Sequence, residues 1–153
     1  MKDRIAEKQA IFQACIEYID ERLANIQRRI KAIEESRNQE TKSSVGDKHE
    51  TGRAMMQLEE EKASHQLQQA KAVKTALLRI ASDKVCTKVE PGSLVVTSQG
   101  IYYIAIGIGK LKLSEQQYFC ISIDAPIGKL LRHRQAGESV QFNGRDIQIL
   151  EIF

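Results

Sequence analysis

The chain has no tryptophan, only two prolines among its 153 residues, and three cysteines. Cys15, Cys86 and Cys120 are an odd set without a C-x-x-C pair. That spacing excludes a disulfide framework or a zinc ribbon, and reads as small buried apolar residues in a reducing cytoplasm. Long apolar runs are also missing: none approaches the roughly 18 residues of a membrane-crossing helix. Met1 to Glu7 mixes charges where a signal peptide needs an apolar core, so the expectation is a cytoplasmic chain with no membrane partner. Charge of one sign is scarce too. Against 20 Asp+Glu stand 23 Lys+Arg, a net +3, which argues against a binder held to naked nucleic acid by many phosphate contacts. His49, His65 and His133 are dispersed without H-E-x-x-H spacing. Gly107-Ile108-Gly109-Lys110 lacks the preceding glycine and following Ser/Thr of a P-loop, and reads as a strand bend.

What is present is unevenly distributed. Residues 1–90 contain no proline and two glycines, Gly46 and Gly52, whereas residues 91–153 hold both prolines and the other seven glycines. Six of the eight aromatic residues also lie in the second part. Two unlike architectures are therefore expected, a domain of residues 1–82 and another of residues 83–153.

In the first, Phe12, Ile16, Ile19, Leu23, Ile26, Ile30 and Ile33 recur at alternating spacings of four and three. This is a coiled-coil stripe. The pattern lapses through a polar stretch and resumes with Met55, Met56, Leu58, Ala63, Leu67, Ala70, Val73, Leu77 and Ile80. Two such helices, with small alanines at inward positions of the second, predict an antiparallel helical hairpin. Each arm of about 35 residues would span roughly 50 Å. A hairpin that buries one stripe per helix has little core of its own, and suits reaching into a partner better than enclosing a ligand.

Its tip, residues 43–53, admits two readings. Asp47-x-x-Glu50 has capping-box spacing, with Asp47 at the N-cap, Glu50 at the third helical position and Gly46 supplying the turn. The same spacing places two carboxylates on one helical face, where they supply hard oxygen ligands to Mg²⁺. Two carboxylates hold that ion weakly alone, so this reading requires a partner to complete the site.

The second domain changes period. Residues 85–89, 93–97, 101–108, 118–123, 140–142 and 145–150 read as strands, the last two joined by the hairpin turn Asn143-Gly144. Pro126 to Arg132 is the one expected short helix, with Gly137 beyond it. The fold class expected is α+β: an N-terminal coiled-coil hairpin followed by a small antiparallel sheet with one helix. No nucleophile–base–orienter trio is indicated by spacing there. Arg132-His133-Arg134 reads as a solvated helix end.

A hairpin with an acidic tip ahead of a compact β-rich domain resembles the bacterial Gre transcript-cleavage factors. Pro91-Gly92-Ser93-Leu94-Val95 resembles the family's Gly-Ser-x-Val at the start of its second domain. Ile121 to Gly128, followed by Leu130-Leu131, is similar to its Ile-Ser-x-x-Ser-Pro-Ile/Met segment, with Ala125 in place of the usual Ser. Gly137-Glu138-Ser139-Val140, the closing strand Ile147 to Phe153, and Gly46-Asp47-x-x-Glu50 match in order, so the resemblance covers essentially the whole chain. It implies an FKBP-like second domain that docks at the rim of the secondary channel of bacterial RNA polymerase, with Asp124 and Pro126 as contacts. It further implies that the coiled coil enters the channel. There Asp47 and Glu50 would be the catalytic carboxylates, holding a Mg²⁺ jointly with the polymerase and promoting cleavage of the 3′ end of backtracked nascent RNA. The protein would be an accessory factor and a monomer, not an enzyme in its own right.

The tip departs from the family after Glu50. Thr51-Gly52-Arg53-Ala54 stands where Asn-Ala-Glu-Tyr is common, and His49 where Ser is frequent. Gly52 near a helix start loosens it by up to about 1 kcal/mol relative to Ala. Arg53 adds a cation suited to an RNA phosphate or to neutralising the acidic pair. These departures keep a second reading open, a non-cleaving regulator in the same channel. Two others are a peptidyl-prolyl isomerase, which needs an apolar, aromatic-lined proline pocket, and a coiled-coil scaffold.

Overall fold

The structure, a computed structural model, describes residues 3–42 and 46–153, with side chains described outside residues 40–50. It is an α+β fold: a long helical hairpin followed by a six-stranded sheet and a short helix. The first helix, α1, runs Arg4–Lys42 and the second, α2, Gly46–Leu78. Asp3 caps α1, its carboxylate accepting the backbone N–H groups of Ile5 and Ala6 at 3.1 and 3.2 Å.

The chain divides into two compact units, Ile19–Thr75 and, in the other, the chain up to Tyr18 together with Ala76–Phe153. Within Ile19–Thr75 the two helices pack along the expected stripe, graded by depth. Ile19, Ile26 and Ile33 are buried, while Leu23 and Ile30, on the flank of the seam, are half-buried. Ala63 and Ala70 are the buried residues of α2 in this unit. Cross-helix pairs fix an antiparallel register: Asp20 with Lys74, Arg29 with Gln66 at 2.7 Å, and Arg37 with Glu60. This register sets Ile26 level with Ala70 and Ile33 level with Ala63, large against small, so that the helices approach closely.

In the other unit the strands are β1 (Leu94–Thr97), β2 (Gly100–Ile104), β3 (Gly109–Leu113), β4 (Gln116–Ile121), β5 (Ser139–Phe142) and β6 (Arg145–Ile152). The short helix α3 spans Pro126–Leu131. The sheet order is β3-β4-β2-β1-β6-β5. Every neighbouring pair is antiparallel except β2 and β4, which run parallel, so the sheet is antiparallel as expected but for this one pair. The cause is the run 101–108. It does not continue as one strand but leaves β2 at Ile104 and re-enters the sheet as β3 at Gly109, whose φ of +88° opens the edge strand. The chain then turns back through Ser114-Glu115, and β4 fills the slot between β3 and β2. Residues 85–89 also form no full strand. Only an isolated bridge joins Lys88 and Gln135, with Val89 and Arg134 hydrogen-bonded at 2.9 Å.

Alternation gives the sheet two buried faces. Val95, Tyr102, Ile104, Val140, Ile147 and Ile149 pack with Ile127 and Leu131 of α3. Tyr103, Tyr118 and Cys120 point the other way, where the beginning of α1 meets them: the Tyr118 hydroxyl donates to Glu7, and Cys15 lies in hydrogen-bond reach of Cys120. The unit therefore carries helix on both faces of its sheet, not one, and this second cover comes from the chain before Ile19.

Candidate functional site

Helix α2 begins at Gly46, so Asp47 falls inside its first turn instead of at the N-cap, with Glu50 three residues on. At a spacing of three the two residues share one helical face. The side chains of Asp47, His49 and Glu50, and residues 43–45, lie outside the described residues. Asp47 and Glu50 are thus brought to one end of α2 by backbone alone. Both also sit at the helix's positive pole. Arg53 follows Glu50 by three residues. Its side chain is exposed and lines a cleft of about 520 Å³ with Gln57, Ser64 and the Arg37–Glu60 ion pair.

Among the described residues no group of three or more His, Cys, Asp or Glu side chains is placed to hold a metal ion. An aspartate and a glutamate one helical turn apart are the right donors for Mg²⁺ but fill few of its six positions. The donor set fits a shared site, one that needs oxygen ligands from elsewhere.

Asp124 and Pro126 lie together in the segment that enters α3. Asp124 is exposed, and its backbone N–H donates to the Ser122 hydroxyl at 3.2 Å. The Ala125 N–H donates to the Ser122 carbonyl at 3.1 Å, which closes the turn. Ala125 is the N-cap, with extended backbone (φ −64°, ψ 155°) as the residue before a proline requires, and it has no side-chain cap bond. Pro126 takes the first helical position, where its missing N–H costs nothing. Gly128 lets the helix lie directly on the preceding chain: a Cβ there would meet the Ser122 carbonyl oxygen at 2.3 Å. The loop that carries Asp124 is thereby fixed by main-chain contact. The Asp47–Glu50 pair belongs to one unit and the Asp124–Pro126 loop to the other. Arg132, His133 and Arg134 follow α3 as an exposed run, with His133 at a positive φ of 64°.

Beneath the sheet lies a buried polar cluster that the sequence reading did not single out. Lys8 is fully buried and donates its ammonium to the Lys84 carbonyl, with the Cys86 sulfur 3.9 Å away. Burial lowers its pKa from the ordinary lysine value. Arg4 pairs with Glu7 at 2.7 Å and stacks over the Phe153 ring at 5.1 Å. Tyr118 is pushed up by burial and then by its bond to Glu7. The Lys84 ammonium, 3.1 Å from Glu90, holds that carboxyl below its usual range. The Cys15 thiol is pushed up by its hydrogen bond to Cys120 and by burial. All three cysteines are buried and free. Lys8 falls off the Phe12–Ile16 stripe and on the buried side of Ile11 and Cys15, so the sequence carried no signal for it: a lysine reads as solvent-facing until something shows what covers it.

No protein-family model matches the chain, and no curated protein matches it either. No helix among the described residues is long and apolar enough to cross a membrane.

Proposed function

We propose that the chain is an accessory transcription elongation factor. It binds bacterial RNA polymerase through the secondary channel and stimulates cleavage of the 3′ end of backtracked RNA, which rescues arrested complexes. The observation that carries this reading is the placement of two carboxylate residues in the first turn of α2, at one end of a two-helix hairpin. Buried Ile26, Ile33, Ala63 and Ala70 form a narrow seam between the helices, and the pair Asp47–Glu50 stands in the first turn of α2. Such a hairpin makes sense as a donor of two carboxylates to someone else's active centre.

In this reading Asp47 and Glu50 hold Mg²⁺ together with polymerase groups. The ion, when bound there, supplies charge stabilisation and activates water for phosphodiester hydrolysis. The chain's own part is to position its two carboxylates. Asp124 and Pro126 contact the polymerase from a loop held rigid by Gly128. The sequence resemblance to the Gre factors supports the same assignment.

A second reading, a channel-bound regulator that does not promote cleavage, is favoured by Arg53. Its exposed guanidinium lies one turn beyond Glu50 and partly offsets the charge of the acidic pair. Binding of fluorescently labelled chain to purified polymerase tests what the two readings share. Saturable binding, weakened about tenfold or more by Asp124→Lys, is expected. Absence of binding by the intact chain would contradict both.

A further inference from the structure

The α3-side face of the sheet continues past the core into an open cleft of about 410 Å³. Its floor is aromatic and aliphatic: Tyr102 and Phe119 stack with centroids 5.2 Å apart, beside Phe142 and Ile147. Phe119 reaches this position because Gly100 has no side chain; a Cβ there would meet the ring at 2.9 Å. Tyr102 is only 9% exposed and forms part of the cleft wall. Its pKa is raised by burial alone, so no neighbouring charge accounts for it. At the rim stand the amides of Gln99 and Asn143 and the guanidinium of Arg145. Arg145 is exposed and makes no ion pair among the described residues. Strand alternation turns its neighbour Asp146 to the opposite face and leaves the cation facing the cleft.

We propose that this cleft binds an extended peptide segment that carries an apolar side chain beside a carboxylate. The apolar side chain fills the aromatic floor, and the peptide carbonyl accepts the Tyr102 hydroxyl. The amides of Gln99 and Asn143 match further backbone groups, and Arg145 pairs with the carboxylate. A single-stranded nucleic acid is the weaker fit. It brings a phosphate with every base, and one cation lines this cleft. The site lies outside the proposed polymerase-docking loop and stands or falls separately from the function proposed above.

The test uses the full chain labelled with ¹⁵N and three probes: acetyl-Glu-Leu-Leu-Glu-amide, its Lys-for-Glu counterpart, and a short oligouridylate. The acidic peptide should give saturable shifts concentrated at the backbone amides of Gln99, Phe119, Asn143 and Arg145, and the basic peptide none. Arg145→Glu, at an exposed position, should weaken the acidic peptide at least about tenfold, and Tyr102→Phe about threefold. Any of four results would overturn the proposal: no saturable shift with the acidic peptide, equal binding of the basic one, preference for the oligouridylate, or undiminished affinity in well-folded Arg145→Glu.

Discussion

Gly128 sits where α3 crosses the Ser122–Ile123 backbone, and a methyl group would have to displace main chain, not a flexible side chain. Gly128→Ala is therefore expected to destabilise the sheet unit by about 2–3 kcal/mol, the range of overpacking against an unyielding wall, as read by urea denaturation. Three residues earlier the expectation reverses. Ala125 caps α3 without a side-chain bond, so Ala125→Ser restores a hydroxyl to the position that most benefits from one. A gain of about 1 kcal/mol in the same measurement is predicted. Ala125 is also where the sequence departs from the Ser of the family segment it resembles, and the backbone gives that departure a cost. Gly128 was not legible in this way. A glycine inside a short apolar segment announces a close approach only once the approaching chain is known.

Among the elements, the β3–β4 hairpin carries visible strain. Ser114 and Glu115 both have positive φ, 48° and 65°, in the two-residue turn between the strands. The equivalent turn between β5 and β6 uses Asn143 and Gly144, the residues that this conformation favours. Glu115→Gly should relieve the strain and stabilise the chain by about 1 kcal/mol, checked by thermal or urea unfolding. That contrast explains what was readable. Asn143-Gly144 identified its hairpin from sequence, whereas Ser114-Glu115 gave no turn signal. β3 itself, Gly-Lys-Leu-Lys-Leu, is an edge strand whose lysines guard it and mask its apolar alternation. The helices were more legible, because a heptad stripe states its own partner face. Which part of α1 would cover a sheet was not, since Ile11 and Cys15 continue the same helical period that elsewhere faces α2.

For the molecule as a whole, burial of aromatic polar groups sets an alkaline limit. Tyr102, Tyr103 and Tyr118 are all raised above the ordinary phenol value of 10.0, chiefly by burial. Each holds its proton more tightly folded than unfolded. The stability they contribute is therefore complete below about pH 10 and lost as pH rises beyond it. Lys8, lowered by burial, works in the opposite direction, and one amine is outnumbered by three phenols. A spectrophotometric titration of phenolate should show these tyrosines ionising late and together with unfolding; three phenols titrating near pH 10 in intact protein would contradict the packing described.

At the same scale, the proposed function rests on a hairpin that buries one stripe per helix and on a pair of carboxylates too few to hold a metal alone. The direct measurement is release of short 3′ RNA fragments from a purified, backtracked polymerase complex after the chain and Mg²⁺ are added. The account predicts fragment release by the intact chain, and a loss of about a hundredfold or more in rate with Asp47→Ala and Glu50→Ala combined. Fragment release that persists without both carboxylates would contradict the assignment. So would an intact chain that binds the backtracked complex and releases nothing.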